Sequence, residues 1–173
     1  IMTDSTGFIS KLNAKLTEIG QLPDGYKFAL PTEAQWEYAC RAETETDFNN
    51  GGTMTVEYGD DSAMNEVGWY YCNCSEIVGA THDVGGLASN SFGIYDMHGN
   101  VFEWCSDWYD ETYDSSNLTD PTGPDTGYSR VLRGGSWNFY PYHCTSWYRF
   151  SFTPSHGSDN FGFRLALVPV ALE

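Results

Sequence analysis

The first hydrophobic pattern in the chain is helical, because residues 5–19 repeat an apolar residue every three or four positions. The spacing predicts a helix with one buried face made of Phe8, Ile9, Leu12, Leu16 and Ile19. Asp4 or Ser5 stands where a residue would cap the start of this helix, and Gly20 stands where it would end.

A second helix is predicted over about 33–42, within the segment LPTEAQWEYACRA. Thr32 and Gln35 have the spacing of a capping box, and Glu33 in the first turn suits the positive end of the helix dipole. Residues 43–92 are then rich in Gly, Asn, Asp and Thr, with short apolar pieces at 67–71 and 77–78. They predict long ordered loops.

The second half of the chain alternates between aromatic and polar segments. SFGIYDMHGNVFEWCSDWY carries its aromatic residues around a GN turn and predicts the aromatic centre of the fold. RVLRGGSW and GFRLALVPV have strand propensity. Residues 107–125, at and after the end of the aromatic segment and before RVLRGGSW, predict a solvated loop, because Ser, Thr and Pro there surround Asp107, Asp110, Glu111, Asp114, Asp120 and Asp125.

Residues 137–164 are unusual because they hold ten aromatic residues and no Ala, Val, Leu, Ile or Met. Aromatics interleaved with Ser, Thr, His and Asn are typical of recognition surfaces rather than of buried strands. Ten aromatic side chains represent roughly 1,500 to 2,500 Å², which is more than a monomer leaves exposed. Some must therefore belong to the scaffold, and Trp137 and Phe163 at the ends are the first candidates.

Composition narrows the class of protein. A chain of 173 residues predicts one domain with a hydrophobic core, and the net charge of −16 with 8 Lys and Arg argues against nucleic acid as a partner. No apolar run approaches the ~20 residues of a membrane span.

Five cysteines leave at least one unpaired. Cys72, Cys74 and His82 suggest zinc ligands, but the C-x-C spacing and the lack of a fourth ligand favour ordinary thiols.

Four segments in order resemble the formylglycine-generating enzyme, or sulfatase-modifying factor, family: LPTEAQWEYACRA, GIYDMHGNVFEWCSDWY, RVLRGGSW and GFRLALV. The resemblance implies a single α+β domain over 1–173 with a C-type-lectin-like fold, two helices, small twisted antiparallel sheets and extensive irregular loops. Members usually have a β-rich stretch before the first helix. We therefore expect the N-terminal β-rich part of the domain to be missing from this chain.

The resemblance departs from the family at the chemistry. Enzymes of the family use two cysteines and copper, and the positions that align are Phe139 and Cys144. A phenylalanine ring neither ligates copper nor forms a thiolate, so the copper-dependent oxidase is the disfavoured alternative. We expect no enzyme activity, no required cofactor and a packing role for Cys144.

A second branch of the same fold fits better. Residues 137–164 resemble the variable region of the treponemal variable proteins, which retroelements diversify mainly at adenines of AAC codons. The codon changes produce Phe, Tyr, His, Ser, Thr, Asp, Gly and Pro, and they leave Trp147 unexplained. The fixed positions between them would be Trp137, Cys144, Arg149, Gly162, Phe163 and Arg164.

This resemblance implies a non-catalytic, receptor-like or adhesin-like protein that displays a hypervariable aromatic surface. The candidate ligand-binding residues are Phe139, Tyr140, Tyr142, His143, Tyr148, Phe150, Ser151, Phe152, Thr153, Ser155, His156, Ser158 and Asp159. For Phe150 and Phe152 a core position and a surface position are equally compatible with the sequence. His143 and His156 have no neighbours at ligand spacing, so we interpret them as contact residues rather than metal ligands.

A structural calcium ion is the one metal that the family resemblance implies, at Asp96, Gly99, Val101 and Glu103. Oxygen donors of this kind suit Ca²⁺. The alternative is that Asp96 and Glu103 cap turns or pair with nearby arginines. The expected partner is an unknown protein or cell-surface ligand. We expect the protein at the cell surface or secreted, with any anchor or signal upstream of Ile1.

Overall fold

The computed structural model describes residues 7–74, 80–113 and 119–170. Its first helix, α1 (Phe8–Glu18), follows Gly7 without a side-chain cap, and the predicted caps Asp4 and Ser5 lie outside the described residues. The helix is confirmed, but its buried face is narrower than predicted: Ile9 is buried, Leu12 and Leu16 are half-buried, and Phe8 and Ile19 are 54% and 48% exposed. The reason is that, among the described residues, α1 lies mainly against a single strand, β1 (Tyr26–Ala29), which covers only part of its apolar side.

The second helix, α2 (Glu33–Arg41), confirms its prediction almost to the residue. The Thr32 hydroxyl accepts from the N–H of Gln35 (3.1 Å), and the Gln35 side chain accepts from the N–H of Thr32 (3.0 Å). The helix ends at Ala42, which adopts a left-handed conformation with φ of 44°. Because the capping box is local, the sequence carried enough information to place it.

A third helix, α3 (Ser62–Val67), lies where only loops were predicted. Asp61 caps it through one carboxylate oxygen, which accepts from the N–H groups of Ala63 and Met64 at 3.1 Å. Its other oxygen accepts from Thr55 and Val56. Six residues are too few for helical periodicity to show, and a cap with neighbours on both sides stabilises a turn that propensity alone does not. The apolar piece at 77–78 lies outside the described residues.

The described residues also form three small sheets. β1 pairs antiparallel with β8 (Ala166–Pro169), which gives the terminal strand a partner. β2 (Gly68–Trp69) pairs parallel with β3 (His98–Gly99). The central sheet has the order β6-β5-β4-β7, with β4 at Phe102–Trp108, β5 at Arg130–Arg133, β6 at Phe150–Phe152 and β7 at Phe161–Gly162. The α+β class is confirmed, with parallel pairing of β2 with β3 and of β4 with β7 added to the expected antiparallel ladders.

Asp107, Phe92 and Tyr95 differ in burial from what the sequence predicts. Asp107 is not in a solvated loop but buried at the end of β4, where it accepts from the N–H of Glu33 (2.9 Å) at the start of α2. The loop begins later, with Asp110, Glu111, Asp120 and Asp125 exposed and Asp114 outside the described residues. Phe92 and Tyr95, predicted to pack centrally, are 40% and 46% exposed, and the ring of Phe92 packs on the exposed Tyr38 instead of the core.

Arg133 connects the helix layer to the central sheet. Its side chain is fully buried and donates to Glu33 (2.9 Å) and to Glu37 (2.6 Å) on α2. It also donates to the carbonyl of Ser146 (2.6 Å), and its guanidinium lies 5.3 Å from the ring centre of Trp36. One arginine therefore holds α2, β5 and residues 137–164 in place.

We predict that Arg133→Met lowers the free energy of unfolding by about 3 kcal/mol, because it removes a fully buried guanidinium that bonds to Glu33, Glu37 and the carbonyl of Ser146. Arg149 and Arg41 still pair with the two carboxylates. Lys15→Met removes an ion pair whose side chains are 61% and 69% exposed, so its cost stays below about 1 kcal/mol. Urea unfolding of both variants measures the difference. Equal losses would show that the buried contacts of Arg133 do not stabilise the fold.

Candidate ligand-binding surface

Residues 137–164 leave the central sheet at a tight double-glycine turn. Gly134 and Gly135 have φ values of 93° and 75°. A Cβ on Gly135 would lie 2.4 Å from the sulfur of Cys144, so only glycine allows the two backbones to approach this closely. The chain then forms one 3-10 turn, Pro141–Cys144, and returns to the sheet edges as β6 and β7.

The buried His98 links the 3-10 turn to the loop that contains Asn49. Its Nδ1 donates to the carbonyl of Cys144 (2.7 Å), while its Nε2 accepts from the N–H of Asn49 (3.0 Å). This pair of bonds requires the neutral ring with the proton on Nδ1. Burial lowers the pKa of His98 to about 4, although the bond to Cys144 acts in the opposite direction. The imidazole is therefore a fixed structural link at neutral pH.

One half of residues 137–164 is a set of phenylalanines on the central sheet. The rings of Phe139 and Phe150 both lie 5.1 Å from that of the buried Phe102. Phe152 lies 5.7 Å from Phe161, which is itself 5.6 Å from Trp104. All four rings of the segment are half-buried, so each packs on the core and presents part of its surface to solvent.

The other half is a set of tyrosines around His143. Tyr148 lies 4.9 Å from His143 and 5.4 Å from Tyr142. His143 also contacts Phe139 at 5.0 Å and thereby joins the two halves. The result is one continuous surface, called here the aromatic surface, which consists of Phe139, Tyr140, Tyr142, His143, Trp147, Tyr148, Phe150, Phe152, His156 and Phe161.

The structure brings the predicted binding residues together, but at different depths. Ser155, His156 and Asp159 are exposed, and the others are half-buried. Phe150 and Phe152 are neither core nor surface: both belong to β6, one residue apart, and both pack on the phenylalanine cluster. That any of these residues contacts a ligand stays a prediction.

The expected fixed positions have clear partners, with one exception. Arg149 donates to both oxygens of Glu33, at 2.6 and 2.7 Å. Trp147, which the codon pattern left unexplained, donates from Nε1 to Asp47 (2.7 Å), so it anchors the segment to a distant loop. Phe163 was expected in the scaffold but is 39% exposed and lies 5.8 Å from the exposed ring of Phe8. It follows β7 and therefore lies outside the central core.

Aromatic residues beyond the predicted contact set also lie in or against the surface. Phe161 was passed over, although it packs on Trp104 and Phe102. Tyr58 and Tyr71 come from the loops before α3 and after β2, and they contact Tyr140 at 5.6 and 4.9 Å. A tyrosine in a polar loop was the only sequence feature that pointed to Tyr58 and Tyr71. Nothing in the sequence connects either of them to residue 140.

The cysteine chemistry of a copper oxidase does not fit these residues. Phe139 packs on Phe102, and Cys144 is fully buried, which raises the pKa of its thiol above the usual range. All five cysteines are free. Within residues 7–74, 80–113 and 119–170 no group of three or more His, Cys, Asp or Glu side chains is arranged to hold a metal, and this includes Cys72, Cys74 and His82.

The residues suggested for calcium are engaged in other contacts. Glu103 accepts from Arg164 at 2.5 and 2.8 Å and from Trp36 Nε1 at 2.6 Å. Asp96 accepts from the N–H of Gly85 (2.7 Å). This donor set fits the ion-paired alternative better than a calcium ion, because the guanidinium already supplies the positive charge. The calcium site stays a prediction, and the function proposed below does not depend on it.

A cleft of about 620 Å³ lies between α2 and the loop after β4, and none of the residues of the aromatic surface lines it. Its charged groups are already bonded within the protein, since Glu33 pairs with Arg133 and Arg149 and Asp107 caps α2. The aromatic surface is therefore the stronger candidate for recognition. Across the described part of the chain, none of the helices is both long and apolar enough to cross a membrane.

These features define a small α+β domain of the C-type-lectin-like kind, with its candidate site on the segment that follows the double-glycine turn. The model of the sulfatase-modifying factor enzyme 1-like domain matches residues 3–168. The chain belongs to this family.

Relatives by sequence include enzymes. The formylglycine-generating enzyme of Streptomyces coelicolor is 38% identical over 152 residues, which cover 79% of this chain and 46% of the enzyme. A serine/threonine-protein kinase Pkn1 of Chlamydia trachomatis is 32% identical over 142 residues, with 79% of this chain and 20% of the kinase covered. The chain thus spans half or less of the length of these relatives.

Solved structures include a variable protein. Treponema denticola variable protein 1 superposes with a TM-score of 0.69 at 35% identity, covering 80% of this chain and 47% of that protein. PvdO from Pseudomonas aeruginosa gives a TM-score of 0.73 at 27% identity, covering 92% of this chain and 58% of that protein. The same fold is therefore similar both to family enzymes and to a variable protein.

We predict that the two halves of the aromatic surface respond differently to substitution. Phe150→Ala removes a ring that packs on the buried Phe102, and it lowers the free energy of unfolding by about 2 to 4 kcal/mol. Tyr140→Ser removes a ring that packs on Tyr58 and Tyr71, which are themselves exposed, and it costs less than about 1 kcal/mol. Chemical denaturation measures both, and a reversed order would place the tyrosines in the core.

We also predict that the protein loses stability as the pH falls from about 6.5 to about 4. His98 binds a proton in the unfolded chain below its ordinary pKa of 6.5, but in the folded chain only near pH 4. Stability from the neutral ring is therefore complete above pH 6.5 and declines below it, by about 1.4 kcal/mol for each pH unit at most. Following the ring by NMR separates His98 from titrating carboxylates. A folded-state pKa near 6.5 would contradict the prediction.

Proposed function

We propose that this chain is a non-catalytic ligand-binding domain, receptor-like or adhesin-like, whose aromatic surface is one variant of a retroelement-diversified region. The observation that carries the proposal is the continuous aromatic surface at residues 137–164, with Phe139 at the position where an oxidase of the family would need a cysteine. We further propose that the protein acts at the cell surface or in the secreted state.

The backbone of residues 137–164 is held mainly by residues outside the predicted contact set. Diversification of the contact residues requires such an arrangement. Ser146 donates its N–H to the carbonyl of Asp47 (2.8 Å) and its hydroxyl to Thr46 and Asp47. Asn160 is buried, and its carbonyl accepts from the N–H of Phe102 (2.8 Å). These anchors are not among the predicted contact residues, so side chains between them can change while the backbone keeps its course.

Composition supports recognition over catalysis. Tyrosines on a fixed backbone offer large contact areas at low entropic cost, which is why binding loops use them. A few such anchors ringed by polar groups carry most of the energy in protein interfaces. The similarity to Treponema denticola variable protein 1, at 35% identity, favours the same interpretation.

Charge favours a basic partner. The chain has a net charge of −16. All five arginines have internal contacts: Arg41 with Glu37, Arg130 with Trp108, Arg133 and Arg149 with Glu33, and Arg164 with Glu103. Glu57 and Asp159 are exposed beside the aromatic surface. Lysine and arginine side chains of a partner would meet aromatic faces and carboxylates there, and both attract cations.

The copper-dependent oxidase remains the second candidate, because formylglycine-generating enzymes are among the relatives at 38% identity. It requires a second thiolate where this chain has Phe139. Copper(I) titration and incubation with a cysteine-containing peptide test it directly. We expect neither stoichiometric copper binding nor oxidation of the peptide, and either result would favour the enzyme.

The decisive prediction for the binding function concerns the gene. We expect a near copy of the coding sequence for residues 138–161 beside it, differing at adenines, together with a reverse transcriptase gene. Sequencing of the locus from independent isolates should then show changes at the displayed positions and constancy at Trp147, Arg149 and Asn160. A single unvaried sequence without a nearby copy would contradict the proposal.

A further inference from the structure

Tyr58 and Tyr71 lie against the aromatic surface although neither belongs to residues 137–164. The ring of Tyr58 is 5.6 Å from that of Tyr140 and stacks on Tyr142 at 6.3 Å. The ring of Tyr71 is 4.9 Å from that of Tyr140. Both are among the more exposed aromatic side chains, at 62% and 54%, so each presents a large part of its ring to solvent.

Main-chain hydrogen bonds hold the two tyrosines there. The N–H of Tyr71 donates to the carbonyl of Phe139 (2.9 Å), and the N–H of Tyr142 donates to the carbonyl of Glu57 (3.4 Å). Backbone groups are the same whatever side chains residues 139 and 142 carry, with proline at 142 the exception because it lacks the N–H. Diversification of the segment therefore leaves both tyrosines in place.

The loop that carries Tyr58 is also fixed from its other side. One carboxylate oxygen of Asp61 accepts from the N–H groups of Thr55 (2.7 Å) and Val56 (3.1 Å). The N–H of Asp61 donates to the hydroxyl of the buried Tyr70 (2.9 Å). A tyrosine on a loop held in this way loses little backbone freedom on binding, so more of its contact energy appears as affinity.

We infer that Tyr58 and Tyr71 form a constant edge of the binding surface, which contacts a protein partner whatever side chains occupy positions 140 and 142. The inference rests on the proposed binding function. It adds a part of the site that does not vary. Specificity comes from the diversified residues, and the two tyrosines contribute affinity to every variant.

The test is a display library of this chain in which Tyr140, Tyr142, His143 and Tyr148 are randomised without proline. Phe139, Phe150 and Phe152 stay unchanged because they pack on the core. The library is selected against hen egg-white lysozyme, a basic protein. Tyr58→Ser and Tyr71→Ser are then introduced into each independent binder, with Tyr38→Ser as the matched control, since Tyr38 is 68% exposed and contacts Phe92 instead.

We expect Tyr58→Ser and Tyr71→Ser each to weaken lysozyme binding about tenfold or more in most binders, the usual loss for an interfacial tyrosine anchor. Tyr58→Phe, which keeps the ring, should retain affinity, and Tyr38→Ser should change it less than twofold. Thermal unfolding of each variant checks that the domain remains folded.

The experiment distinguishes failure of the constant edge from failure of the proposed binding function. Binders whose affinity is unchanged by both serine substitutions would overturn the constant edge and leave the binding function standing. A library from which no binder is recovered would contradict the binding function, and the constant edge with it. Loss of affinity with loss of folding in Tyr58→Ser, together with full affinity in Tyr71→Ser, would also overturn the inference.

Discussion

The structure depends on a buried cluster of charges in which one carboxylate serves two arginines. Glu33, at the start of α2, accepts from Arg133 on β5 and from Arg149 in the segment after it. Its own N–H is capped by Asp107 on β4. Buried ions are tolerated only when paired and hydrogen-bonded, so these elements have one arrangement that satisfies all of them. That arrangement fixes where residues 137–164 leave and rejoin the sheet.

In this domain, different residues hold the backbone of residues 137–164 and present side chains to solvent. Support comes from long-range contacts of a few residues: Arg149 to Glu33, Trp147 to Asp47, Asn160 to the backbone of Phe102. Display comes from side chains that lie between these anchors. This division of roles allows the surface side chains to change without loss of stability, because substitutions away from buried networks cost little.

The separation is incomplete at the phenylalanines. Phe139 and Phe150 pack on Phe102 and still present an edge to solvent, so they contribute to core and surface at once. The tyrosines farther out have mainly one another as partners. A gradient of tolerance follows, in which the loss of a large apolar side chain costs more stability at positions near β4 than at positions near the 3-10 turn. Tyr58 and Tyr71 add fixed aromatic area at the permissive end.

The sequence by itself determined what is local. It placed α2 and its capping box, because the four residues involved are neighbours, and it identified the family from four motifs in order. It also identified the segment that forms the aromatic surface, since composition there is visible without coordinates. Only the tertiary structure decided the rest. Phe163 became exposed. Asp107 became the buried cap of a helix that begins 74 positions earlier, and Tyr58 joined the surface through rings 82 to 85 positions away. Such contacts follow from which elements pack together, and periodicity and propensity do not encode that packing.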